Sequence, residues 1–252
     1  MGKTLLYPVG ISESCRYASI FLEQAGLELT DHPAPEITHL LLDVPSFGAN
    51  GLLKEGSDLK DLLRMLPDSV TVIGGNLDRD ILQNYHKTDL LQDSRYLAKN
   101  AAITAECALK VCAQHLNTTF TDSPALILGW GRIGKCLARM LTSLGCTVTV
   151  AARKEADRAM LEALNYRATD FSQIPQVLQH CRILFNTVPK PPLHSDLLDL
   201  WKNGTAIDLA SEPGMQGRHV IPARGLPGKY APESSGRLIA ETILRLLKEE
   251  AL

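Results

Sequence analysis

Charge of neither sign predominates in this chain. Across 252 residues, 26 Lys and Arg face 28 Asp and Glu for a net charge of -2. That balance leaves no electrostatic footprint for nucleic acid or for an anionic membrane. Long hydrophobic runs are missing too: nowhere do 18 apolar residues follow one another, so no membrane-spanning helix is expected. The short apolar stretch near the start is too brief for a signal peptide and reads as a first strand. The cysteines, at 15, 107, 112, 136, 146 and 181, form no C-x-x-C pair, and no His lies at zinc-ligand spacing from a cysteine pair. They read as buried small hydrophobes, and no metal site is expected. Order and spacing suggest no Ser/His/Asp or Cys/His nucleophile, and there are no repeats or low-complexity tracts. The expectation is a cytoplasmic protein.

What is present is an ordinary globular composition, 45% apolar and 21% charged, in a chain long enough for two modest domains or one large one. Strand-like and helix-like segments alternate. In the first half, strands are expected at 4–9, 39–44 and 70–73, and helices at 12–25, 59–66 and 78–85. Ser12 opens the first of these helices and Gly26 closes it. An Ala-, Cys-, Leu- and Val-rich pattern at 97–115 predicts a long, largely buried connecting helix, and the polar stretch 117–124 breaks it. In the second half, strands at 125–128, 146–151, 167–168, 182–185 and 205–209 alternate with helices at 132–144, 155–164, 174–179 and 195–201. This alternation predicts a parallel sheet covered on both faces. A last helix at 233–247, apolar on one stripe, is expected to pack back on the first domain.

The strand expected at 125–128 runs into Gly129-x-Gly131-x-x-Gly134, and an amphipathic helix follows at once. In that setting Gly129 allows the tight turn, Gly131 admits a pyrophosphate to the backbone, and Gly134 lets helix and strand pack closely. The helix start then attracts the phosphates. Trp130, Arg132 and Ile133 complete the turn. The fold class is therefore α/β: a Rossmann doubly wound parallel sheet over 121–232, plus a smaller flanking α/β domain over 1–120. The flanking domain is expected to be completed by a C-terminal helix at 233–252, with the long helix joining the two domains.

An acidic residue about 20 positions past the glycines usually binds the adenosine ribose of NAD. Here the second strand ends in Ala152-Arg153-Lys154. A guanidinium can grip a 2′-phosphate through paired hydrogen bonds, so NADP is expected in preference to NAD. Three further segments follow strands, where open α/β sheets bind ligands: Asn186-Thr187-Val188-Pro189, Asp208-Leu209-Ala210-Ser211, and the Pro/Gly loop containing Gly225, Leu226, Pro227 and Gly228. Together they are expected to form the rim of the cofactor site.

These segments resemble bacterial dipicolinate synthase A, one of the two subunits of that enzyme. The similarity runs from about residue 125 to the C-terminus and is most diagnostic at 225–232; a weaker likeness includes 72–75 and 100–106. The resemblance implies a Rossmann domain with a flanking α/β domain. It also implies NADP-dependent oxidation of a dihydrodipicolinate-type ring to dipicolinate during sporulation, together with a flavoprotein-like second subunit, dipicolinate synthase B. The chain departs from that family at its front, which is shorter and whose Tyr7-Pro-Val-Gly-Ile-Ser lacks the expected glycine-rich turn.

A small dicarboxylate substrate calls for cations or N–H donors, and aromatisation calls for a proton acceptor. Ser46, Asn100, Thr104 and Glu106 are the candidates from the first domain, with Arg224 and Lys229 from the second. Glu106 could accept the proton if desolvation raised its pKa. A homo-oligomer is expected. Two alternatives share the cofactor: a shikimate-dehydrogenase-like enzyme acting on another small carboxylic acid, and a non-catalytic NADP-binding regulatory protein.

Overall fold

The computed structural model describes residues 4–54, 56–189, 193, 195–201, 204–212, 214–217 and 219–250. The chain divides into two compact units, 1–100 with 227–252, and 101–226. The boundary at 100/101 falls within the long helix; the sequence places the change of domain at 120/121, after the helix ends.

In the first unit, β1 (Leu5–Pro8), α1 (Glu13–Gln24), β2 (Glu28–Leu29), β3 (His39–Leu41), α2 (Leu59–Leu63), β4 (Thr71–Gly74) and β5 (Lys87–Asp89) follow in order. The strands form one parallel sheet in the order β2-β1-β3-β4-β5. Ser12 caps α1 as the sequence expects, its Oγ accepting from Cys15 N at 3.2 Å. The 78–85 segment differs: only Asp80–Leu82 is helical, as a single 3₁₀ turn. The strands β2 and β5 escape sequence reading because both are short and lie at sheet edges, without an alternating apolar pattern. Leu40, Leu42, Val72, Leu59 and Leu63 share one buried cluster.

The helix α3 (Ser94–His115) leads into the second unit. There β6 (Ala125–Leu128), α4 (Arg132–Ser143), β7 (Val148–Ala151), α5 (Glu155–Ala163), β8 (Arg167–Thr169), α6 (Ile174–Leu178), β9 (Ile183–Asn186), α7 (Ser195–Leu200), β10 (Thr205–Asp208) and β11 (Val220–Pro222) follow. All six strands are parallel, in the order β11-β10-β9-β6-β7-β8. This is the doubly wound order, and its direction reverses between β6 and β9. Every residue of β6, β9 and β10 is buried, as expected of strands covered on both faces. On one face Leu126 and Leu128 join Ile174, Leu178, Leu184 and Leu198 in a core cluster.

Two helices end the chain, α8 (Leu226–Tyr230) and α9 (Pro232–Glu250). The sequence reads 224–232 as a constrained loop; instead, residues 226–230 are helical. Gly225, at φ +62°, provides the left-handed residue that turns the chain into α8. The helix α9 packs along α1. The approach is close: a Cβ at Gly236 would lie 2.5 Å from Ser14 O and from Tyr17 Cβ. Among the described residues, no helix is long and apolar enough to cross a membrane.

Candidate cofactor site

The glycine turn lies at the carboxyl end of β6, at the point where strand order reverses. Its three glycines meet different surroundings. Gly129 is at φ +102°, and a Cβ there would lie 2.5 Å from Val188 Cγ1 and 2.7 Å from Thr187 Oγ1. A Cβ at Gly134 would be 2.2 Å from Gly129 O, so helix and turn are in backbone contact. A Cβ at Gly131 would meet nothing within 4 Å. That residue borders open space at the start of α4, and α4 has no side-chain cap. Uncapped N–H groups, a positive dipole end and free room are what a pyrophosphate needs. The residues present therefore fit a dinucleotide.

Around the turn, Arg132 is exposed, Ile133 is half-buried, and Trp130 packs edge-on against Tyr166, with ring centroids 5.7 Å apart. The end of β7 is adjacent: Gly129 N donates to Ala151 O at 2.9 Å. There Ala152 is buried, while Arg153 and Lys154 are exposed. On the other side, Thr187 Oγ1 donates to Leu128 O at 2.7 Å, drawing the end of β9 against β6. Val188 is half-buried and Pro189 exposed.

Two residues read from sequence as cofactor contacts are engaged elsewhere. Asn186 and Asp208 are 0% and 1% exposed. Asn186 Nδ2 donates to Asp208 Oδ1 at 2.8 Å and to Val188 O at 2.9 Å. Asp208 also accepts from Ala210 N at 3.3 Å, Gly214 N at 2.8 Å and Met215 N at 3.2 Å. Arg224 Nη2 stands 3.7 Å from Asp208 Oδ2, and its Nε donates to Ala210 O at 2.9 Å. These side chains shape the rim from within, because their polar atoms are turned toward the protein's own backbone. Leu209 and Ala210 are buried and Ser211 is exposed. Gly225 is exposed, Leu226 buried, Pro227 half-buried and Gly228 exposed, the last three within α8.

In the first unit, Ser46 is 1% exposed. Its Oγ donates to Asp43 O at 2.8 Å and accepts from Gly75 N at 3.0 Å. The hydroxyl latches a loop through these two backbone bonds. Asn100 is half-buried, and one helical turn later Thr104 is buried. Glu106 is exposed on α3, so this structure lacks the desolvation that its reading as a proton acceptor requires. Lys229 is exposed, with Nζ 5.1 Å from the Tyr230 ring centroid.

Burial raises all six cysteine thiols above their ordinary value. Burial pushes the Cys15 thiol up to about 12, with Asp43 adding to the effect. Burial also raises Cys136, in α4, while Arg139 opposes it. Among the described residues, no group of three or more His, Cys, Asp or Glu could hold a metal ion.

Sequence reasoning missed Arg158, Asp170 and Phe171, which gather at the ends of β7 and β8. An arginine inside an exposed helix gives no local signal that its partners lie behind it.

Residues 88–201 match the D-isomer specific 2-hydroxyacid dehydrogenase NAD-binding domain family. The chain is 31% identical over 159 residues to dipicolinate synthase A of Bacillus subtilis, strain 168; the match takes in 60% of this chain. It spans about half the length of that curated relative, 54%. Among solved structures, dipicolinate synthase A from Bacillus subtilis aligns over 99% of this chain and 97% of its own, with a TM-score of 0.82 and 22% identity. Its counterpart from Bacillus halodurans aligns over 97% and 98%, with a TM-score of 0.81 and 22% identity. The chain resembles dipicolinate synthase A in both sequence and fold.

Proposed function

We propose that the protein oxidises a dihydrodipicolinate-type ring to dipicolinate with NADP as acceptor, in association with a flavoprotein-like second subunit. The observation that carries the proposal is the 31% identity to dipicolinate synthase A, joined to an open, uncapped glycine turn at the reversal point of the sheet. The 2-hydroxyacid dehydrogenase match covers the dinucleotide-binding segment and so bears on the cofactor rather than on the substrate.

The reaction balances as dihydrodipicolinate plus NADP⁺ giving dipicolinate, NADPH and a proton. Bound nicotinamide would supply the hydride acceptor at C4. The chain's own contribution is position and electrostatics. Gly131 and the first N–H groups of α4 bind the pyrophosphate. Arg153 and Lys154 would hold the 2′-phosphate, and two cations at the end of β7, where NAD-binding domains usually place a carboxylate, favour NADP over NAD. The 186–189 and 208–211 turns, stiffened by the Asn186–Asp208 pair, would border the nicotinamide end.

The reading places the protein in the cytoplasm of a sporulating cell, as a homo-oligomer. The deciding experiment incubates purified protein, with and without the co-expressed flavoprotein-like partner, with freshly generated dihydrodipicolinate and NADP⁺. NADPH absorbance and dipicolinate are followed together. Equimolar appearance of both supports the reading; NADPH binding without dipicolinate under either condition overturns it.

A further inference from the structure

The turn leaving β7 is held by a residue outside the glycine fingerprint. Arg158 Nη1 donates to Ala152 O and Arg153 O, both at 2.8 Å, and to Asp170 Oδ2 at 3.1 Å. Ala152 N also donates to Thr169 O at 3.1 Å, so the ends of β7 and β8 are tied through both backbone and side chain. Asp170 Oδ1 accepts from Ser172 N at 2.9 Å and starts the turn that presents Phe171. The Arg153 guanidinium carbon lies 5.7 Å from the centroid of the Phe171 ring. One arginine therefore fixes the backbone that carries a second arginine, and anchors the turn whose ring that second arginine rests on.

We propose that Arg158, with Asp170 and Phe171, is a specificity-determining positioning element that holds Arg153 poised for the 2′-phosphate of NADP. The inference rests on the NADP reading above. Its physical basis is preorganisation. An exposed arginine loses rotamer entropy when it binds, and a ring beneath a planar guanidinium lowers that loss in advance. Arg158 satisfies the carbonyls of residues 152 and 153 from inside the turn, so the turn keeps one course. Glu155 and Asp157 lie in the first turn of α5, and Lys154, at its N-cap, makes no side-chain capping bond. Acidic groups so near a phosphate site oppose an anion, which makes the placement of the Arg153 cation decisive.

The test uses the full chain and measures dissociation constants for NADPH, NADH, 2′,5′-ADP and 5′-AMP, with a melting curve for each variant. Arg158→Gln is expected to weaken NADPH and 2′,5′-ADP by about tenfold while NADH and 5′-AMP stay within about twofold. Arg158→Lys, which keeps a cationic multiple donor, should recover part of the loss. Phe171→Leu keeps the apolar contact but removes the ring, and should cost NADPH about threefold; it also serves if Arg158→Gln does not fold. A wild type that favours NADPH, with variants that weaken both cofactors alike or neither, overturns the positioning role and leaves the cofactor reading standing. A wild type that favours NADH overturns both.

Discussion

Asn186 and Asp208 sit on neighbouring strands, 22 residues apart in sequence, and bond directly through Nδ2 and Oδ1 at 2.8 Å in a fully buried site. Two polar side chains at the carboxyl ends of β9 and β10 tie those strand ends together. Each saturates the other and the backbone around it, so neither has an exposed face to offer a ligand.

Replacing Asp208 with Ala removes the acceptor for Asn186 Nδ2 and for the amides of 210, 214 and 215. Buried donors left unpaired are costly, and a loss of about 3 kcal/mol is expected in urea unfolding. In a double-mutant cycle with Asn186→Ala, the coupling should reach about 1 kcal/mol. Strict additivity would show that the pair does not act as one unit.

The three glycines should separate folding from binding. Gly134→Ala drives a Cβ to 2.2 Å from a backbone oxygen, and Gly129→Ala adds left-handed strain to a clash with Val188. Each should destabilise the protein by about 2 kcal/mol or more. Gly131→Ala meets open space, so its melting temperature should equal that of the wild type. Its NADPH affinity should nonetheless fall about tenfold, because the methyl occupies room meant for the pyrophosphate. A Gly131→Ala protein that binds NADPH normally would remove the pyrophosphate from this turn.

Arg245 and Asp93 form a half-buried ion pair, Nη2 to Oδ2 at 2.6 Å. Burial pushes the Asp93 carboxyl up, but the Tyr96 amide and Arg245 outweigh it and hold the carboxyl below its ordinary value. A carboxyl depressed in the folded state stabilises above its unfolded pKa, and the contribution fades as pH falls through the folded one. Arg245→Met should therefore cost about 1 kcal/mol at pH 7. Its deficit against wild type should shrink below about pH 4. A deficit that grows on acidification would contradict the assignment.

For Ser46, loop latch and catalytic group make opposite predictions. Ser46→Ala deprives Gly75 N of its acceptor and should cost about 1–2 kcal/mol of stability. In the assay proposed above, kcat should stay within about threefold of wild type. A collapse of kcat at full stability would restore the catalytic reading.

Local features were legible wherever a short stretch of chain carries its own physical cause. The Ser12 cap acts within three residues, and the Gly129–Gly134 turn within six. The aliphatic strands β6, β9 and β10 announce their burial directly. The edge strands β2, β5 and β11 were not legible, because pairing on one side asks little of composition. The helix α8 was hidden by Pro227 and Gly228, which read as loop; a proline in the first turn of a helix is tolerated because its missing N–H has no partner there.

The glycine spacing and the apolar periodicity determined by themselves the doubly wound sheet and the tight turn after β6, since each acts over a single turn or strand. The fates of the polar side chains were decided only by tertiary structure. Ser46 meets Gly75 across 29 residues, Asn186 meets Asp208 across 22, and Arg158 meets Asp170 across 12. A hydrogen bond depends on distance in space, and folding brings together partners that the linear order keeps apart.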